Sequence, residues 1–353
     1  MRFETIHPKE LGPVEIGLWR AHQHAQPGAQ SPYLTPDWAQ VVGGARDDAR
    51  VVTIGGGRGF FAGQRLSRFA AMGLGAPIAD YQGVVAEPGL AIDASLLCRA
   101  LKVGRIDLTH VPEGSTPLIA GGAEGSWIAE TNSSRDLYEA ALKSRRGEFV
   151  RQADKKARKF ARERGAPEFR AASTSAEDFA TLIAWKNAQL ARTGQPQIWA
   201  APWVRTVLDA CFAARDTRFA GQLFTMHIDA RLVGAAFGLR SGGVLHVWLI
   251  AHDPAFDSYS PGVQLARWLI GWAGDQGIAE VDFGPGDYQF KRQLSTTQRQ
   301  VQRGVICGMS VSGAVRRAEN AVRAQLERAP HAALAALPGK AMRRIDLKRA
   351  LAS

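Results

Sequence analysis

Between residues 244 and 294 the chain reads VLHVWLIAHDPAFDSYSPGVQLARWLIGWAGDQGIAEVDFGPGDYQFKRQL, and three features of this stretch could do chemistry. The first is Tyr259-Ser260-Pro261-Gly262-Val263, where a loop turns into a helix. A helix start carries free backbone N–H groups and the positive end of the helix dipole, which suits a phosphate. Pro261 needs no N–H in the first turn, and Gly262 lets an anion approach closely. An ordinary helix start, with Ser260 as cap and Pro261 at the first position, would use the same residues. The second feature is the strand that ends at His252. Strict alternation puts His246, Trp248, Ile250 and His252 on one face. With a reference pKa near neutrality, His246 could take a proton from an attacking amine; a structural histidine beside a packing tryptophan is the other reading. The third is Asp282 with Lys291 beyond a glycine turn. They read as a base and a cation, or as a turn-capping aspartate and a surface lysine.

A strand at 244–251, a helix at 261–275 and a strand at 279–283 are needed to hold these groups. Two strands precede them, 222–228 and 231–239, joined by a tight turn at Asp229-Ala230, and Ser241-Gly242-Gly243 leads into the strand from Val244. Helices are expected at 176–192 and 202–214. A long helix is expected over 133–164, where Phe149, Ala153, Ala157 and Phe160 recur at helical spacing and Gly165-Ala166-Pro167 stops the pattern. Residues 1–130 read as mixed α/β. Thr35-Pro36-Asp37-Trp38 is a helix start, 50–54 a strand before the Gly55-Gly56-Gly57 turn, and 104–110 a further strand. The expected division is 1–130, 131–314 and a basic helical tail at 315–353, broken at Pro338-Gly339.

With 46% hydrophobic and 22% charged residues, the composition is that of a globular protein rather than a disordered one. No window approaches the roughly 18 apolar residues of a membrane-spanning helix. The opening run MRFETIHPKELGPVEIGLW has acids and a proline where an export signal needs an apolar core, so a cytoplasmic chain is expected. Cys98, Cys211 and Cys307 form no metal-ligand or disulfide pattern, and no metal is expected. Walker-type loops, HExxH and a strand-borne GxGxxG are absent. The net charge of +11 is concentrated: residues 143–164 hold ten Lys/Arg against three Asp/Glu, and 316–349 hold nine against three. The first segment is a solvated helix face or a contact for an anionic polymer, a lipid headgroup or tRNA. Its sparse aromatics make nucleic acid the poorer fit. The tail either packs as a plain helix or lies on an anionic membrane surface, which would place the protein at the inner face of the membrane.

The order strand, strand, strand, phosphate loop, helix, strand resembles the GNAT acyltransferase superfamily, and Asp229-Ala230-Arg231-Leu232-Val233-Gly234-Ala235 resembles its middle hairpin. His252-Asp253-Pro254, Tyr259-Ser260-Pro261-Gly262, Asp282-Phe283-Gly284 and Gly286-Asp287-Tyr288-Gln289-Phe290-Lys291, in that order, resemble the CelD/BcsL-type acyltransferases, a branch related to FemAB proteins. Trp185-Lys186-Asn187 and Pro32-Tyr33-Leu34-Thr35-Pro36-Asp37-Trp38 fit the same branch.

The resemblance implies an α/β (α+β) fold of two tandem GNAT-like units, each a mixed, mostly antiparallel sheet flanked by helices. The unit over 1–130 is then degenerate and that over 131–314 carries the site. It implies acetyl-CoA or another acyl-CoA as co-substrate, with pyrophosphate at Tyr259, Ser260, Gly262 and Val263. The pantetheine arm would pair with the strand at Trp248 and Ile250, where that strand splays from the next. Lys291 would steady the oxyanion, His246 or Asp282 would take the proton, and Tyr288, Trp185 and Lys186 would meet the acceptor. The implied activity is N-acyl transfer, N-acetyl transfer foremost, to an amine. The implied acceptor is an amino sugar or lipid-linked saccharide of exopolysaccharide or surface-adhesin synthesis. Three alternatives stay open: a long-chain acyl-CoA acting on a lipid or sphingoid amine, an aminoacyl-tRNA-dependent FemAB-like transfer, and a non-catalytic binding module. The phosphate loop departs from the usual Arg/Gln-x-x-Gly-x-Gly/Ala in reading Ser-Pro-Gly-Val-Gln, and so offers fewer glycine amides.

Overall fold

The computed structural model describes residues 1–26, 28–116, 119–327, 347, 350 and 351. It divides into two compact units, residues 1–125 with the chain from 300 onward, and residues 126–299. In chain order, unit 1 holds β1 (Phe3–Ile6), α1 (Pro13–Ala25), α2 (Pro36–Ala45), β2 (Ala49–Ile54), β3 (Gly59–Gln64), β4 (Ala71–Gly73), β5 (Val84–Ala86), α3 (Ala94–Leu101) and β6 (Arg105–Pro112). The end of β7 (Ile119–Glu130) opens unit 2. There follow α4 (Arg135–Arg164), β8 (Glu168–Arg170), α5 (Ala176–Arg192), α6 (Pro202–Ala213), β9 (Arg215–Asp216), β10 (Phe219–Ile228), β11 (Arg231–Ser241), β12 (Val244–His252), α7 (Pro261–Asp275), β13 (Glu280–Pro285) and α8 (Gln289–Leu294). The chain then returns to unit 1 through β14 (Thr297–Cys307) and α9 (Val311–Glu327).

Both units repeat one pairing scheme. In unit 1 the strand order is β1-β2-β3-β4-β6-β14, antiparallel except where β4 meets β6. In unit 2 it is β8-β10-β11-β12-β13-β7, antiparallel except where β12 meets β13. A crossover helix joins the parallel partners in each, α3 in one and α7 in the other. The α/β class with two GNAT-like units, each a mostly antiparallel mixed sheet flanked by helices, is therefore what the chain adopts.

The boundary expected at 314 differs from the observed division. Val301 pairs with Pro112 and Cys307 with Arg105, so residues 301–307 complete the sheet of unit 1. A strand's own sequence fixes its faces but not its distant partner, so local pattern left this return invisible.

Side-chain caps set the helix starts. Thr35 Oγ1 accepts from Trp38 N–H (3.0 Å), Ser134 Oγ from Leu137 N–H (3.3 Å) and Ser175 Oγ from Asp178 N–H (3.1 Å). Gly165, at φ +97°, ends α4, which also breaks helical geometry at Arg146 (φ −137°, ψ 39°). The core of unit 2 packs Leu245 and Val247 of the sheet against Leu265, Leu269 and Ile270 of α7 and Tyr138, Leu142 and Phe160 of α4. Each fully buried leucine or isoleucine contributes about 1.5–3 kcal/mol. Unit 1 packs Val52, Ile54 and Phe61 against Leu97, Leu101 and Ile106. Among the described residues, no helix is long and apolar enough to cross a membrane. The expected break at Pro338-Gly339 lies outside the described residues.

Candidate functional site

The parallel strands β12 and β13 pair at Val244–Glu280, Leu245–Val281 and His246–Asp282. Their pairing stops at that rung, and β12 runs on to His252. Just past the rung β12 bulges against β11. Leu249 pairs with Phe237 and Val247 with Gly238, which makes Trp248 the extra residue. The bulge breaks the single face expected for His246, Trp248, Ile250 and His252. Trp248 packs on Trp199 (5.8 Å between ring centroids) and Phe237 (6.4 Å), whereas Ile250 packs with the cluster that contains Leu245 and Val247.

Beyond the bulge, Ile250, Ala251 and His252 form one wall of a cavity of about 710 Å³. The facing stripe of α5 supplies Trp185, Ala188, Gln189 and Arg192, spaced as neighbours on one helix face. Pro254, Asp257, Ser260, Gly262 and Val263 form the end at the start of α7, and Tyr288 and Phe290 complete the lining.

The start of α7 is unusually open. Ser260 is left-handed (φ 54°, ψ 54°) and its side chain makes no cap bond. Pro261 has no N–H, and the amides of Val263 and Gln264 donate to Ser260 O (3.1 and 3.3 Å), so Gly262 is left to supply a backbone donor. The corresponding crossover helix of unit 1 begins differently. The Asp93 carboxylate accepts from Ser95 N–H (2.9 Å) at the start of α3, an anion where a phosphate would have to sit. The hydrogen bonds from Ser95 also hold the Asp93 carboxyl below its ordinary pKa.

Of the residues expected from the sequence, Ile250, Ser260, Gly262, Val263, Trp185 and Tyr288 line the cavity. Trp248 and Tyr259 lie behind its walls. Tyr259 stacks on Phe160 (4.6 Å) and donates to Glu163 (2.9 Å). Lys186 is half-buried and donates to Gln189 Oε1 (3.0 Å). Burial, and then the nearby Lys291 ammonium, lower its pKa to about 8. Lys291 Nζ donates to the carbonyls of Pro285 (2.7 Å) and Gly284 (3.3 Å) and sits 5.4 Å from the Tyr288 ring centroid.

His246 and Asp282 are both 0% exposed and do not line the cavity. His246 Nδ1 lies 3.7 Å from Asp282 Oδ1, which accepts from Gly284 N–H (2.7 Å) and Ser126 Oγ (3.3 Å); Arg299 stands 3.6 Å from Oδ2. The rung at which the strands pair therefore encloses both side chains. Conversely, the sequence reading passed over Ala188, Gln189 and Arg192, although they continue the stripe from Trp185. His252, which the sequence placed on the strand face without a role, is joined to Asp257 by a 2.7 Å hydrogen bond in the cavity wall. Among the described residues, no group of three or more His, Cys, Asp or Glu could hold a metal ion.

No curated protein matches the chain in sequence. Solved structures that share the fold include three at 10–13% identity. One is the C-terminal domain of an Agrobacterium fabrum protein described as a lysylphosphatidylglycerol synthetase (10% identity, TM-score 0.54, covering 86% of this chain and 96% of that one). Another is a Bacteroides thetaiotaomicron protein of unknown function (10%, 0.56, 84% and 98%). The third is FemX (13%, 0.52, 86% and 96%). Residues 143–292, which contain the whole cavity, match the acetyltransferase (GNAT) domain family.

Proposed function

We propose that this protein is an acyl-CoA-dependent N-acyltransferase of the CelD/BcsL type. Acetyl-CoA is the foremost donor, and an amino sugar of exopolysaccharide or surface-adhesin synthesis the foremost acceptor. The observation that carries this reading is the run of β12 past its last rung with β13, beside a cavity that ends at an open helix start. The exposed edge of β12 suits the amides of a pantetheine arm, and Gly262 suits its diphosphate. About 710 Å³ is within the range of small-ligand sites. Trp185 and Tyr288 offer flat apolar faces for a sugar ring, and Arg192 a cation for an acidic substituent on the acceptor.

In this reading the neutral amine attacks the thioester carbonyl, the N–C bond forms, the C–S bond breaks, and the thiol leaves. Lys186, with a pKa of about 8, is the group beside the cavity best matched to the amine's proton. Burial, and after it the Lys291 ammonium, keep that pKa low, and Lys291 turns positive charge toward the forming oxyanion. The buried pair His246 and Asp282 holds the rung rather than moving the proton.

A second reading, aminoacyl transfer, is favoured by the basic run of α4, which would suit a polyanionic donor. Thiol release from acetyl-CoA in the presence of amino sugars, with the N-acetyl product identified by mass, tests the first. Product from aminoacyl-tRNA alone, abolished by ribonuclease, would replace it with the second.

A further inference from the structure

We propose that Lys156 of α4 belongs to the donor site, where its ammonium clamps the diphosphate of an acyl-CoA seated at Gly262. The assignment rests on the coenzyme A reading above and adds a group that the phosphate loop itself does not supply.

The loop is short of donors. A diphosphate brings two negative charges, and the start of α7 offers the amide of Gly262 while those of Val263 and Gln264 are engaged with Ser260 O. Lys156 Nζ donates to Ser260 Oγ at 2.8 Å, and Ser260 lines the cavity. The ammonium therefore stands at the rim of the cavity, two residues from the glycine. On binding, it would exchange the hydroxyl for a phosphate oxygen, and Ser260 Oγ–H would become a second donor to the same group.

The position of Lys156 is fixed by its helix. One turn on, Phe160 stacks on Tyr259 (4.6 Å) and packs on Phe256 (5.6 Å), both in the loop before α7. Tyr259 donates to Glu163 (2.9 Å), and Lys159 lies 5.6 Å from the Tyr259 ring centroid. Arg267 of α7 binds Asp154 (2.6 Å) and Glu139 (2.6 Å) of α4, and these bonds raise the Arg267 pKa. Helix, loop and α7 thus form one assembly with Lys156 at its open end. Lys155, the neighbouring exposed lysine, lies about 100° round the helix and serves as the control.

The test is the dissociation constant for coenzyme A, measured calorimetrically on the full chain, in the wild type and in Lys156→Ala, Lys156→Gln and Lys155→Ala. Each melt is recorded in parallel. Loss of a charge-assisted hydrogen bond predicts about 10- to 100-fold weaker binding for both Lys156 variants, and a change within about twofold for Lys155→Ala. Binding should also lose salt dependence in the Lys156 variants, since one ion pair with phosphate is gone. Pantetheine, which lacks the diphosphate, should bind the wild type and Lys156→Ala alike. Unchanged coenzyme A affinity in Lys156→Ala and Lys156→Gln, or an equal loss in Lys155→Ala, overturns the assignment and leaves the coenzyme A reading standing. A wild type that binds no coenzyme A overturns both.

Discussion

Replacing Gly262 by alanine separates phosphate recognition from folding. Gly262 has no positive φ, and a Cβ built there meets His252 Nδ1 at 3.3 Å, with the ring Cε1 at 3.9 Å. The histidine side chain need give only a few tenths of an ångström. The helix meanwhile gains up to about 1 kcal/mol from the better helix former. The expected change in stability is therefore within about 1 kcal/mol, or roughly 2–4 °C in Tm for a domain of this size. The new methyl lies between two residues that line the cavity, where a phosphate oxygen would approach the Gly262 amide. Losing that charge-assisted bond costs about 1.5–3 kcal/mol, so coenzyme A should bind about 10- to 150-fold more weakly. Gly277→Ala is the counterpart. It sits at φ +71° with open space around it, so it should destabilise by roughly 1–2 kcal/mol and leave the affinity alone. Calorimetric titration of both variants, each with a melt, reads the two effects separately. Full coenzyme A affinity in a folded Gly262→Ala would refute the placement of the phosphate.

Three further outcomes are expected. Lys186 has a pKa of about 8 against an ordinary 10.5, so between these values the unfolded chain holds a proton that the folded chain lacks, and stability rises with pH. Lys186→Met should accordingly melt above the wild type at pH 7, with the gap closing from pH 8 to 10.5; parallel melting curves across that window would contradict the shift. Asp282→Ala strands the Gly284 amide in the interior, while Arg299 keeps Glu280 (2.9 Å), and should cost about 1–3 kcal/mol. A variant as stable as the wild type yet inactive would return Asp282 to the chemistry. Arg192→Ala, exposed in the cavity wall, should leave the melt unchanged and raise KM for acidic acceptors by about tenfold while sparing neutral ones. Equal effects on both acceptor classes would exclude a contact with the acidic substituent.

Elements with local signals were legible in the sequence. Ser175 and Arg192 bound α5 as expected, Pro261 and Asp275 bound α7, and Gly165 stops α4. Caps, prolines and glycines act within one turn, so their neighbours suffice to read them. Features set by distant partners stayed hidden. The return of β14 to β6 joins residues about 200 positions apart. The extra residue at Trp248 shows only against the register of β11, and it moves Ile250 to a face that alternation denied it. The burial of His246 and Asp282 likewise follows from strand pairing, which side-chain chemistry alone does not reveal. The cation run of α4 was plain in composition, but which of its lysines meets the phosphate loop depended on the packing of Phe160 under Tyr259.

The central claim, that the cavity of unit 2 takes an acyl-CoA, is tested most directly by thermal unfolding with coenzyme A, acetyl-CoA and acyl-CoAs of increasing length. Ligand at a hundred times its Kd should stabilise the fold by about 2.7 kcal/mol, a shift readily measured. The account predicts such a shift with coenzyme A and acetyl-CoA, lost in Gly262→Ala. A shift that appears only with long chains would point to a lipid amine as acceptor. The absence of any shift at millimolar ligand would contradict the claim.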